Sequence, residues 1–417
     1  MGPVGIGSAA LATLIGVGEI SAAAFALWRT RRGYARTVRP RFDAQWLPRC
    51  AIVIPTKGVP RNFAGNAQAH LALDYPDYEV IFVVESEDDA GVPLLRELVH
   101  GSRGRAQLVI AGLATRCSQQ NHNMVAGVAA AAARAPDVLA FCDNDVAPAR
   151  DWLRALVLPL SNPDVAVATG YRWLVAPRGT LGAQIHVFVN MTMHAHFAAL
   201  THFFGSGLWG GSFALRRTEF EARGVAARWS ETISDDLSLT EILRAHRRRS
   251  VLTADVLIVT DDVLDSPRAA IAWYARQLLN LKAYERFTWA FAVGGPLLAA
   301  GGLILALPWA LLAAARGGSF WAHGGLAATI FLGAEIITAL LYACTAPTRS
   351  RWLMVARVPL LRLAQVAAYL ATIGRSSLVW SGTRYRFDRR GKVIGLERGV
   401  AAADYSEPGH PQPLTTA

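Results

Sequence analysis

The run Phe141-Cys142-Asp143-Asn144-Asp145-Val146 sets two carboxylates one residue apart, directly after the apolar stretch 138–142. A short apolar run of this kind reads as a buried strand. Acids at its end point oxygen ligands into the crevice above a sheet, where open α/β sheets bind their ligands. Hard oxygen ligands suit a divalent cation that in turn holds a diphosphate. A turn with solvated acids is the alternative for an isolated D-x-D. Two further acidic clusters weigh against it: Glu85-Ser86-Glu87-Asp88-Asp89 and Ser234-Asp235-Asp236. Residues 233–239 open an amphipathic helical pattern, so an acid there is either a reacting group or a cap on the helix N-terminus. His186, His194, His196 and His202 lie along an apolar stretch at spacings near two helical turns. A metal site needs convergent ligands with supporting partners, and nothing in this stretch demands one.

These residues need a scaffold, and the sequence between about 46 and 290 supplies one. Strand-like runs occur at 50–55, 78–84, 107–112, 137–142 and 164–170. Helical patterns lie between them at 63–71, 92–99, 121–133 and 152–160. Strands alternating with helices imply βαβ units and a mostly parallel sheet. No G-x-G-x-x-G or Walker A run occurs. A phosphate-bearing ligand is therefore expected to be held by metal and basic side chains, not by a glycine loop.

Composition sets the surroundings. Of 417 residues, 53% are hydrophobic, and the mean hydropathy is positive. The net charge of +11 is almost all arginine, since Lys57, Lys282 and Lys392 are the only lysines. A basic chain suits nucleic acid or an anionic membrane. The basic clusters here abut apolar runs, which favours the membrane and no nucleic acid. Cys50, Cys117, Cys142 and Cys344 show neither metal spacing nor a disulfide pattern and read as core residues in a reducing compartment. The alanine and arginine bias is that of a GC-rich bacterial genome.

Residues 4–28 are long enough to cross a bilayer, which needs about 20 apolar residues. Arg29, Arg31, Arg32, Arg36, Arg39 and Arg41 follow and mark the cytoplasmic side. Segments 1–28, 291–315 and 320–346 are expected to span, the last two as a hairpin over 291–347. Residues 352–380 are apolar but interrupted by Arg357, Arg362 and Arg375. They read as an interfacial or re-entrant segment, with a fourth span as the competing reading. The polar tail 401–417 is expected to be disordered. The chain is thus read as an integral protein of a bacterial inner membrane, with residues 46–290 cytosolic.

The ordered motifs carry a family resemblance. Ile54-Pro-Thr-Lys-Gly-Val59, Leu73-Asp-Tyr-Pro-Asp-Tyr-Glu-Val80, Ser86-Glu-Asp-Asp89, Cys142-Asp-Asn-Asp145, Gly210-Gly-Ser-Phe213, Ile233-Ser-Asp-Asp236 and Trp380-Ser-Gly-Thr-Arg-Tyr-Arg386 appear in family order. The chain resembles the inverting, membrane-bound GT-A glycosyltransferases of the family 2 type. Within these it is most similar to the ceramide glucosyltransferase branch, family 21, and to bacterial hopanoid-associated relatives. The resemblance implies a Rossmann-like, nucleotide-diphospho-sugar transferase α/β domain inserted between transmembrane helices, ahead of a W-x-G-x-x-Y segment over 380–400. It implies Mg2+ or Mn2+ at Asp145 with Asp143. Pro55, Lys57, Glu85, Asp88, Asp143 and Arg276 would serve the nucleotide sugar, with Lys57 as a solvated loop lysine in the alternative. Gly211, Ser212, His194, Trp380 and Arg384 would lie on the acceptor side. Asp236 would be the general base, with Asp235 as a structural acid or its supporting partner; one carboxylate suffices for a single inverting displacement.

Two departures stand out. The family's (Q/R)-x-x-R-W motif corresponds to Arg276-Gln-Leu-Leu-Asn280, where Leu279 and Asn280 replace Arg and Trp. A lysine frequent in the family is absent from Gln119-Gln-Asn-His-Asn123. Arg276, Lys282 or Arg384 are candidates for the missing charge. The expected function is transfer of a hexose from a UDP-sugar, UDP-glucose first, to a membrane-lipid hydroxyl such as that of ceramide or a hopanoid at the cytoplasmic face. A polysaccharide synthase and a degraded nucleotide- or lipid-binding scaffold are the alternatives.

Overall fold

A computed structural model describes residues 3–38, 43, 45–291, 296, 307–321, 324–345 and 351–400. The chain divides into two compact units, each taken here by itself. One comprises Arg32–Leu174, Leu200–Asp262 and Ser376–Ala417; the other comprises Met1–Arg31, Val175–Ala199 and Val263–Arg375.

The chain opens with helix α1 (Pro3–Val38). The first unit is then built on a seven-stranded sheet. Its strands are β1 (Cys50–Pro55), β2 (Tyr78–Val84), β3 (Ala106–Ile110), β4 (Val138–Cys142), β5 (Val165–Leu174), β6 (Ser212–Arg216) and β7 (Arg249–Thr260), in the order β3-β2-β1-β4-β6-β5-β7. Helices α2 (Phe63–Leu71), α3 (Val92–Gly101), α4 (Gln119–Ala131) and α5 (Trp152–Val157) connect the first strands. After α6 (Leu181–Phe204) come α7 (Arg217–Ala222), α8 (Val225–Trp229) and α9 (Asp235–Ala245).

Strands buried on both faces read as continuous apolar runs, and β1, β2 and β4 do so. Alternate residues serve opposite faces. Cys50, Ile52 and Ile54 join one core cluster, with Trp152 and Val80. Ala51 and Val53 join the other, with Phe141, Phe213 and Trp229. The sheet is mostly parallel, as the sequence pattern implied, with one reversed strand. β6 runs antiparallel to both β4 and β5, while β1/β2, β2/β3, β1/β4 and β5/β7 are parallel. Because β6 is reversed, its first residue lies opposite the last residue of β4, Ser212 against Cys142. The run expected at 164–170 extends to Leu174, which carries Arg172 into the strand. The C-terminal segment forms a separate three-stranded antiparallel sheet, β8 (Ser377–Trp380), β9 (Thr383–Phe387) and β10 (Val393–Arg398).

The second unit is helical. It contains α10 (Pro267–Tyr284), α11 (Arg286–Phe291), α12 (Leu307–Ala315), α13 (Gly325–Thr345), α14 (Arg351–Ala356) and α15 (Val358–Leu370). Among the described residues one helical stretch, Gly325–Cys344, is long and apolar enough to cross a membrane. The apolar stretch of α1 is the shorter Ala9–Phe25. Most of the expected second span (292–295 and 297–306) and the tail 401–417 lie outside the described residues. Segment 352–380 is mainly helical, and two of its three arginines are engaged. Arg357 donates to Gly179 O (3.1 Å) and Gln184 Oε1 (3.0 Å). Arg362 donates to Glu19 Oε2 (2.8 Å), Glu335 Oε2 (2.8 Å) and Gln365 Oε1 (2.9 Å). Gln365 passes the network on to Thr192 Oγ1 (3.2 Å).

Candidate active site

The parallel strands end at one edge of the sheet, and the chemistry-bearing residues follow their ends, as an open α/β sheet requires. After β1 comes Lys57 and after β2 comes Glu85. Their side chains pair at 3.0 Å, each partly exposed. The neighbouring acids divide their roles. Asp89 accepts from Gly58 N (2.8 Å) and Gly91 N (2.8 Å), which fixes the loop after β1, where Gly58 has φ +63°. Asp88 is exposed, and only its backbone is tied, to Ser86 Oγ. Pro55 ends the β1 ladder opposite Val83.

Asp143 and Asp145 follow β4, with side chains 26% and 22% exposed. Arg172, near the end of β5, donates Nη1 to Asp145 Oδ2 (2.7 Å). Its Nη2 is shared between Asp145 Oδ1 (2.5 Å) and Asp143 Oδ2 (3.0 Å). Its guanidinium also lies 5.5 Å from the Trp209 ring centroid. The two carboxylates therefore converge on one cationic point, which is the donor arrangement a divalent ion takes. Burial and the neighbouring Asp145 push Asp143 up to about 6, although Arg172 pulls it down. Burial works against the charge on Arg172, but Asp145 and Asp143 outweigh it and hold the guanidinium firmly protonated.

Gly210 and Gly211 precede β6 and bring the second acidic pair to the first. Asp143 N donates to Gly211 O (3.2 Å). A Cβ on Gly211 would lie 2.5 Å from Asp143 Oδ2, and one on Gly210 would lie 2.5 Å from Asp235 Oδ2. Only glycine permits both approaches. The turn is braced from behind. Trp209 N donates to Thr169 Oγ1 (3.0 Å), and Trp152 Nε1 donates to Ser212 Oγ (3.0 Å). Ser212 is fully buried in this bracing.

Ser234 caps α9, and the two acids at its start differ in environment. Asp236 is partly exposed. Its Oδ2 accepts from Gly210 N (3.2 Å), and its Oδ1 accepts from Ser234 Oγ (2.5 Å) and Leu237 N (2.7 Å). Asp235 is buried, with Oδ2 lacking a hydrogen-bond partner. Burial, first, and then the nearby Asp236 and Asp143 push Asp235 well above the usual carboxylate range. Burial also raises Asp236, but its hydrogen bonds oppose the shift. Of the pair, Asp236 is the one that reaches solvent.

The segment before these acids is clamped from two sides. Ser118 N donates to Thr232 O (3.1 Å), and Asn121 Nδ2 donates to the same oxygen (3.0 Å). From the C-terminal sheet, Ile233 N donates to Gly391 O (3.1 Å), Val393 N donates to Glu231 O (2.8 Å), and Lys392 pairs with Glu231 (3.1 Å). Tyr385 of the W-x-G-x-x-Y segment accepts from Gln119 N (3.3 Å) through its hydroxyl. The run Gln119–Asn123, where a lysine was expected, is thus a buried amide network. Gln119 holds Ala114 and Gly112, and Asn123 donates to Val83 O (3.2 Å) at the end of β2.

The remaining expected residues lie on other elements. Arg384 pairs with Glu397 (2.9 Å) on an exposed face of the small sheet, and Trp380 ends β8. In the helical unit His194 is buried on α6 and Arg276 lies on α10. Lys282 donates to Thr372 O (2.7 Å) and Arg375 O (3.0 Å). His186 accepts from Leu264 N (3.2 Å) and packs edge-on against Trp273. Sequence reasoning missed Arg172. Its strand was cut short at Gly170, and a lone arginine in Tyr171-Arg172-Trp173 carries no motif.

Among the described residues no cluster of three or more His, Cys, Asp or Glu side chains forms a metal cage. Asp143 and Asp145 at the strand edge, Asp235 and Asp236 at the start of α9 and the glycine turn between them are brought together in the sheet unit. The chain belongs to glycosyl transferase family 21, whose model matches residues 11–393, and is a glycosyltransferase. Among solved structures it is similar to the mannosyltransferase PcManGT from Pyrobaculum calidifontis in complex with GDP-Man and Mn2+. That match has 17% identity over 88% of this chain and 99% of that one, with a TM-score of 0.49. S. aureus TarS 1-349 matches at 13% identity over 85% and 100%, TM-score 0.35. Glucosyl-3-phosphoglycerate synthase from Mycobacterium tuberculosis, in complex with Mn2+, UDP and glucosyl-3-phosphoglycerate, matches at 14% identity over 50% and 71%, TM-score 0.33.

Proposed function

We propose that this glycosyltransferase is an inverting, membrane-bound GT-A enzyme that moves a hexose from a UDP-sugar, UDP-glucose first, to the hydroxyl of a membrane lipid such as ceramide or a hopanoid at the cytoplasmic face. The observation that carries the reading is the convergence of Asp143, Asp235 and Asp236 on the Gly210–Gly211 turn, with Asp145 joined to Asp143 through Arg172. Family membership and the apolar helix at Gly325–Cys344 support a membrane acceptor.

Asp145 and Asp143 would hold Mg2+ or Mn2+, which when bound neutralises charge on the departing diphosphate. Their fit to such an ion rests on the single nitrogen they share. Asp236 would take the proton of the acceptor hydroxyl as its oxygen bonds to the anomeric carbon and the carbon–oxygen bond to the diphosphate breaks. The displacement is in line, so an α-linked donor yields a β-linked glycolipid. Asp235, buried beside Asp236, would be its structural partner, as its close approach to Gly210 suggests. Asp88 and the Lys57–Glu85 pair would face the nucleoside, and Gly211 the acceptor.

The test is transfer from radiolabelled UDP-glucose to ceramide or to a bacterial lipid extract, with products identified by mass spectrometry. Asp236→Asn is expected to lower kcat by about 10²–10⁴-fold, the range for loss of a general base, with an unchanged melting temperature. Unchanged turnover would sink Asp236 as the base. UDP-sugar turnover without any lipid product would sink the acceptor.

A further inference from the structure

The family's motif arginine is missing at position 279, yet a diphosphate leaving group calls for a cation beyond the metal. Of the three candidates for that charge, Lys282 binds two backbone carbonyls, Arg384 pairs with Glu397, and Arg276 lies on α10 in the helical unit; Lys57 pairs with Glu85. The cation that meets the acids is Arg172. We propose that Arg172 is the arginine that binds the donor diphosphate, and that it competes with the divalent ion for Asp143 and Asp145 until the diphosphate draws it off. This rests on the metal-and-nucleotide reading above.

The geometry supports both halves. Nη2 of Arg172 touches Asp143 Oδ2 at 3.0 Å and Asp145 Oδ1 at 2.5 Å. A hard divalent ion needs those same oxygens at about 2.0–2.6 Å, so guanidinium and ion exclude each other there. Arg172 is 19% exposed, so it keeps a solvent-facing side from which to leave. A guanidinium prefers paired anionic oxygens in a plane, which a diphosphate offers as readily as two carboxylates. The Trp209 ring, 5.5 Å from Cζ, adds a cation–π contact that supports the guanidinium. Once Arg172 moves to the diphosphate, both carboxylates are free for the ion that bridges to the same diphosphate. Metal and donor then favour each other's binding by one shared factor.

Mn2+ binding to the full-length protein in detergent at pH 8, followed by electron paramagnetic resonance with and without UDP, tests this apart from turnover. Wild type is expected to bind Mn2+ weakly alone and more tightly with UDP. If Arg172 leaves the acids free about one-tenth of the time, Arg172→Gln binds Mn2+ alone about tenfold more tightly, and UDP adds little. Arg172→Lys keeps the charge but not the fork, and is expected to fall between the two; it serves if the glutamine variant does not fold. Mn2+ affinity in these variants equal to or below wild type would overturn the competition. Asp145→Asn is the control: Mn2+ binding unaffected by it would overturn the metal reading itself.

Discussion

The protein holds two clusters of the same composition, one arginine between two carboxylates, in opposite settings. At the sheet edge, Arg172, Asp143 and Asp145 are 19%, 26% and 22% exposed. In the helical unit, Arg362, Glu19 and Glu335 are 4%, 16% and 2% exposed. Coulomb attraction is similar in form, but the surroundings decide its use. An arginine that keeps an edge in solvent can be exchanged for another cation, because water and ligand reach it. An enclosed arginine cannot leave without stranding two charges in a poor solvent. It therefore fastens α1, α13 and α15 together, with Gln365 and Thr192 extending the link to α6. The difference is one of access, and it separates a site from a fastener.

Removing the two arginines should break this symmetry most clearly. Arg362→Leu is expected to destabilise by about 3–5 kcal/mol, the cost of leaving buried partners uncompensated, read as a fall in melting temperature in detergent. Arg172→Leu should cost less, because Asp143 and Asp145 keep more of their surface in solvent than Glu335 does. Equal losses would show that exposure does not distinguish the clusters.

A pH titration sharpens the contrast on the accessible side. Asp143 is raised from 3.8 to about 6, first by burial and then by Asp145. Below that pH it carries a proton and loses its grip on a cation. The kcat/KM attributable to it should be about half-maximal near pH 6 and about a tenth at pH 5. Stability has the opposite sign. The folded chain holds this proton more tightly than the unfolded chain, so the contribution of Asp143 is full below about pH 4 and is lost as pH rises through 6. An acid limb unchanged in Asp143→Asn would assign it to another group.

The smallest effect is expected from Glu19→Gln. Arg362 has two carboxylates for one charge, and the amide can still accept its hydrogen bond. A change within about 1 kcal/mol is expected, as when a hydrogen bond is retained, measured by the same melting assay. A loss as large as that of Arg362→Leu would show that both carboxylates are needed.

Much of the site could be read from residue order. The strand before Asp143, the helix opening at 233–239 and the acidic clusters are local features, set by side chains within a few residues of one another, although the cap proved to be Ser234 and not an acid. Composition also marked the apolar helix at 325–344. The reading was weaker where a residue's role depends on a distant partner. Asp88 and Asp89 look alike in sequence, yet Asp89 holds Gly58 and Gly91 while Asp88 is exposed. Gln119–Asn123 looked like a lost lysine position and is a buried amide network. Arg357 and Arg362 looked like interruptions of an apolar run, and each finds partners far along the chain.

The sequence by itself determined which carboxylates sit at strand and helix ends, because hydrogen-bond caps and two-residue alternation are properties of neighbouring residues. Only the tertiary structure decided that Arg172 closes on Asp143 and Asp145, that Gly210 and Gly211 bring Asp235 and Asp236 to them, and that the turn 388–393 clamps the segment before the base. These follow from inserting an antiparallel β6 between β4 and β5 and from docking a C-terminal sheet. Such pairings join residues tens to hundreds of positions apart, and they are selected by the packing of the whole sheet, which no local pattern specifies.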